Sequence, residues 1–207
     1  LKLAEEGATV VVAARTEAAG GPLAGTIHHT AEEITKLGGR ALPLKVDITK
    51  EDDIAQMVRQ ALEKLGRIDI LVNNAGTGRP ATLLDMQVRH WDTVININLR
   101  GPFLCTKAVL PTMVAQKSGS IVNVSSLAAH VDNVPKTGLA YDVSKAGTRL
   151  FQDCAYLFVD LPGLSHNITD THHFPGHRMS RARPRDTQDI SFPDTFTISK
   201  LLIARMA

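Results

Sequence analysis

A tyrosine and a lysine stand four residues apart in AYDVSKAG (140–147), at Tyr141 and Lys145. On a helix that spacing puts both on one face. A free phenol titrates near pH 10 and is a poor proton carrier at neutral pH. An ammonium beside it favours the phenolate and lowers its pKa, which makes the pair a candidate acid/base. Alone the pair carries little weight, because a helix can hold Tyr-x-x-x-Lys by chance as a half-buried ring and a solvated amine. Other polar residues add to it. The run GSIVNVSS (119–126) ends in hydroxyls at Ser125 and Ser126. ILVNNAG (70–76) ends in asparagines and a glycine, and NINLRGP (96–102) places Asn98 in a helical pattern. A carboxamide has little use there unless it is bonded or exposed.

These residues need elements to position them, and the pattern supplies strands alternating with helices. ATVVVAA (8–14), ALPLKVDI (41–48), RIDILVNNAG (67–76) and GSIVNVSS (119–126) are short apolar runs without a two-residue period. Such runs predict strands buried on both faces, and with intervening helices they predict an α/β, Rossmann-like doubly wound parallel sheet. Helices are predicted at 28–39, at 50–66 with Thr49 as cap, as one long run over 91–116 with an internal Gly-Pro, and at 141–161. LKLAEEGA at the start reads as the last turns of a helix. Ligands of such sheets bind at the carboxyl ends of the strands, and Arg15, Asp47, Asn73–Gly76 and Ser125–Ser126 all fall there.

Composition excludes some classes. The chain has 207 residues, 43% hydrophobic and 21% charged, enough for one domain with a sizeable core. A net charge of +2 gives no reason to expect a nucleic-acid partner. Two cysteines, Cys105 and Cys154, are too few for a disulfide framework and point to a reducing, cytoplasmic setting. No apolar run approaches the roughly 20 residues of a membrane-spanning helix.

The order of these motifs resembles the short-chain dehydrogenase/reductase family. The likeness rests on Tyr141-x-x-x-Lys145, the NNAG turn at 73–76, the N-x-N-L segment at 96–99, the strand ending in Ser125-Ser126 and the VDIT strand end at 46–49. The resemblance implies an NAD(P)-dependent oxidoreductase moving hydride between an alcohol/carbonyl substrate and a nicotinamide. Tyr141 would be the acid/base and Lys145 would lower its pKa and hold the nicotinamide ribose. Ser126 would bond the substrate oxygen, and Asn98 would anchor a water relay. Asp47 and Ile48 would border the adenine, and Asn73, Ala75 and Gly76 would line the adenosine side. Arg15 follows Ala14, where an acid would bind the ribose of NAD, so NADP(H) is expected over NAD(H). The resemblance also implies homodimers or homotetramers formed through the long helices.

Two departures stand out. The family's glycine-rich turn T-G-x-x-x-G-x-G is not in the sequence, and the pattern expects roughly 20 residues ahead of Leu1. The central strand would then be missing and would leave apolar edges on its neighbours. This makes an inactive family member, binding cofactor poorly or acting only through protein contacts, the alternative. Residues 1–160 are read as the partial nucleotide-binding domain. Residues 161–207 are expected to be irregular, with a short helix at SKLLIARMA at most. His166, His172, His173 and His177 lack a recognisable ligand spacing, so no metal site is expected. Arg178, Arg181, Arg183 and Arg185 read as a solvated stretch.

Overall fold

The computed structural model describes residues 1–17, 26–126, 129, 138–157, 164–166, 196–198 and 201–206. After a one-turn helix α1 (Lys2–Glu5), the valine run forms β1 (Thr9–Ala14), buried along its whole length. Branched side chains are stiff and pack well on a pleated surface. β2 (Arg40–Lys45) pairs parallel with β1, and α2 (Ile27–Lys36) crosses between them, capped by the Thr26 hydroxyl. α3 (Glu51–Leu65) leads to β3 (Ile70–Asn73), which pairs parallel with β5 (Gly119–Asn123). A short β4 (Gly76–Gly78) follows β3.

Alternate residues of β1 point to opposite faces. Val11 and Ala13 join Ile54, Met57 and Ala61 of α3 in the larger core. Val10 and Val12 join Ile27 and Ile34 of α2 in the smaller one. The sheet is therefore covered on both faces, as the continuous apolar strands predict.

The long helical run exists but is interrupted. α4 (Val88–Ile95) passes through a π turn (Asn96–Arg100) into α5 (Gly101–Gln116). Pro102 has no N–H to give to the carbonyl four residues back, which is that of Asn98. The Gly101 N–H reaches Asn96 O instead, one residue further than in an α-helix. Gly101 is also needed for space, since a Cβ there would lie 2.7 Å from Ile48 Cδ1.

Three expectations are corrected. Thr49 does not cap α3, because its hydroxyl donates to Asp47 Oδ1 at 2.8 Å. The segment 161–207 is not irregular throughout, and Leu201–Arg205 of SKLLIARMA form a strand where a short helix is expected. It contributes β6 (Leu164–His166), β7 (Phe196–Ile198) and β8 (Leu201–Arg205). The main sheet runs β2-β1-β8-β3-β5-β6, so β8 fills the gap expected between β1 and β3. It does so antiparallel to both, which makes the sheet mixed. Its Ile203 and Ala204 are fully buried, one in each core.

His172, His173, His177 and the arginine stretch lie outside the described residues. Among the described residues no cluster of metal-ligating side chains occurs, and no helix is long and apolar enough to cross a membrane.

Candidate active site

The catalytic candidates converge on α6 (Leu139–Leu157) where it passes the carboxyl end of β5. Tyr141 and Lys145 lie one turn apart and are both buried. The Tyr141 side chain hydrogen-bonds the Ser126 side chain, just beyond β5. Lys145 Nζ lies 5.8 Å from the Tyr141 ring centroid and donates to Val124 O at 2.6 Å. Three of the four candidates are thus brought together by one helix and one strand end.

Asn98 joins them from the π turn. Its Oδ1 accepts from Thr77 N at 2.8 Å, and its Nδ2 donates to Thr77 O at 2.9 Å and to Ser144 Oγ at 2.9 Å. The carboxamide therefore clamps β4 to α6. Its backbone carbonyl, deprived of a partner by Pro102, accepts from Thr148 Oγ1 at 3.0 Å. Ser144 and Thr148 are additional members of this network, and sequence reasoning missed them. The available signal was their spacing from Tyr141, three and seven residues on, along the same helix face.

The Tyr141 phenol stands above its ordinary value in this arrangement, although Lys145 lies one turn away. Burial pushes the Tyr141 phenol above its ordinary value; the Ser126 bond works against that, and Asp142 adds to it. Lys145 itself is pulled down by burial to about 8. A buried ammonium is costly, and the Val124 carbonyl offsets only part of that cost.

The expected cofactor residues divide into two groups. Arg15 is exposed beyond β1, and Asp47 stands near it at the end of β2. Burial disfavours the Asp47 charge, but hydrogen bonds from Thr49, with Arg15 and Lys50 nearby, leave its carboxyl below the usual range. Gly76 faces the catalytic group, for a Cβ there would lie 3.5 Å from Asn98 Oδ1 and 3.7 Å from Lys145 Nζ. The others face inward. Ile48 is buried in the core, and Ala75 packs against it. The Asn73 side chain is buried and donates to Asn123 Oδ1 at 2.8 Å. Asn123 in turn donates to Gln152 Oε1 at 2.9 Å on α6. Asn73 Oδ1 has no partner among the described residues.

A dinucleotide fits this surface unevenly. The bare Cα of Gly76 before Lys145 suits a ribose, and Arg15 is exposed on the side where a phosphate would lie. A doubly wound sheet of strand order 3-2-1-4-5-6 receives the pyrophosphate at the carboxyl end of its first strand. β8 holds that place and runs the opposite way. No pyrophosphate cradle stands there among the described residues.

Residues 1–169 match the short chain dehydrogenase family. The 3-oxoacyl-(acyl-carrier-protein) reductase FabG of Thermotoga maritima is 42% identical over 147 residues, 71% of this chain and 56% of that protein. Hydroxysteroid dehydrogenase-like protein 2 of Homo sapiens is 38% identical over 151 residues, 73% of this chain and 36% of that protein. Among solved structures, a metagenomic short-chain oxidoreductase in complex with NADP superposes with a TM-score of 0.67 at 36% identity. That likeness covers 75% of this chain and 67% of the other. The chain spans about half the length, or less, of the curated relatives it matches.

Proposed function

The chain belongs to the short-chain dehydrogenase/reductase family, and on that premise we propose that it serves an alcohol/carbonyl oxidoreductase with Tyr141 as its acid. The observation that carries this reading is the Ser126–Tyr141 hydrogen bond with Lys145 one turn along the same helix. A nicotinamide cofactor, when bound, supplies or accepts the hydride.

The chain's own residues manage the proton and the oxygen. Burial keeps Tyr141 as the neutral phenol at neutral pH, the form that can give a proton to a carbonyl oxygen. Ser126 Oγ, already within hydrogen-bond reach of Tyr141, is placed to bond the same oxygen. Lys145 offers a positive charge near Gly76 that attracts ribose hydroxyls and a developing oxyanion. Arg15, with Asp47 beside it, favours NADP(H) over NAD(H). Substrates are alcohol/carbonyl pairs, and assembly into homodimers or homotetramers belongs to the same reading.

Calorimetry of the full chain with NADPH and NADH tests this. NADPH should bind more tightly, and Arg15→Ala should weaken NADPH about tenfold while leaving NADH unchanged. In a carbonyl-reduction screen Tyr141→Phe should lose about 10²–10⁴-fold in rate. Equal turnover by Tyr141→Phe would remove Tyr141 from the chemistry.

A further inference from the structure

β7 pairs antiparallel with β4, with Ile198 opposite Gly76, Thr197 opposite Thr77 and Phe196 opposite Gly78. Adjacent strands lie about 4.8 Å apart. The β7 backbone therefore runs within one strand spacing of Gly76, the position that opens onto Asn98 Oδ1 and Lys145 Nζ. Three residues after Ile198, Leu201 enters the sheet beside Ala13. Ala13 is near the carboxyl end of β1, so the chain enters β8 from the ligand-binding edge. The two strands bracket the strip from the β1/β3 gap to Gly76. A dinucleotide whose pyrophosphate lies at the central strand and whose ribose reaches Lys145 would span that same strip.

We infer that β7 is an internal competitor for the dinucleotide: docked on Gly76–Gly78 it closes the ribose end of the crevice, and lifted away it opens Gly76 and Lys145 to the cofactor. The inference rests on the reading of this crevice as a dinucleotide site. β7 is the element built to yield. It holds three residue pairs in a separate two-stranded sheet, whereas β8 is paired on both sides and buries Ile203 and Ala204. Two-stranded pairings are marginal in water. The Thr77 N–H and C=O face the Asn98 carboxamide, so Thr77 and Thr197 are a non-hydrogen-bonded pair and the ladder bonds fall to the Gly76 and Gly78 pairs. A ligand that binds only the lifted state has its apparent affinity reduced by the fraction of molecules in that state.

Two variants of the full chain move the equilibrium in opposite directions. Ile198→Pro removes a ladder donor opposite Gly76 and favours lifting. A Thr77→Cys/Thr197→Cys pair, directly opposed and not hydrogen-bonded to each other, cross-links β7 down when oxidised. NADPH binding is measured by calorimetry, and amide exchange at Gly76 and Gly78 reports release of β7 without any ligand. The expected result is at least tenfold tighter NADPH binding by Ile198→Pro. The oxidised cross-link should not bind NADPH, and reduction should restore the parent affinity. NADPH binding by the oxidised cross-link, or parent affinity in Ile198→Pro despite faster exchange at Gly76, overturns the competition and leaves the dinucleotide site standing. Absence of NADPH binding in every form, with exchange showing β7 released, overturns the dinucleotide reading itself and the competition with it.

Discussion

Lys145 is the residue whose charge is most at odds with its surroundings. Its pKa falls to about 8 in the folded chain, against roughly 10.4 when exposed. Below pH 8 the folded state holds a buried ammonium and bears its full cost. As pH rises past 8 the folded chain gives up that proton before the unfolded chain does, so stability rises with pH. Denaturant midpoints should climb between pH 8 and 10, by up to about 3 kcal/mol in stability, and Lys145→Met should flatten the climb. Tyr141, Lys145, Ser126 and Asn98 were legible because each falls in a short ordered motif. Ser144 and Thr148 were not, because a hydroxyl in a helix ordinarily bonds its own backbone. Thr148 has its place only once Pro102 has freed the Asn98 carbonyl.

At the scale of elements, α6 is seated by polar bonds as much as by apolar contact. Ser144 receives from Asn98, Thr148 donates to Asn98 O, and Gln152 receives from Asn123, all of them buried. Gln152→Leu takes the acceptor from Asn123 Nδ2 and should cost about 1–3 kcal/mol in denaturant unfolding. The double variant Asn123→Leu/Gln152→Leu should recover none of that loss, since Asn73 Nδ2 then loses its acceptor Asn123 Oδ1 in turn. The helices themselves were legible from their apolar spacing and glycine stops. The π turn was not, because it depends on a missing donor and on the fit of Ile48 against Gly101, neither of which has a period.

At the scale of the whole molecule, the parallel pairs β1–β2 and β3–β5 follow from apolar strands alternating with helices. β8 escaped that reasoning. Leucine, alanine and arginine favour helix in isolation, and the pattern of LLIAR is too short to say otherwise. Tertiary context decides it: two buried edges present unpaired backbone groups, and a segment that pairs with both satisfies them. Ile203→Ala should therefore cost as much as a core truncation, about 2–4 kcal/mol by denaturant unfolding.

The place of β8 also has a consequence in time. Thr9 and Arg205 are register partners, so the middle of the sheet joins residues from nearly opposite ends of the sequence. On a ribosome β1, β2, β3 and β5 emerge long before the strand that unites them. Until β8 pairs, the facing edges of β1 and β3 are a template for pairing with other chains. The β1–β8 pairing is non-local and slow to form, so Thr9–Ala14 and Leu201–Arg205 meet late in folding.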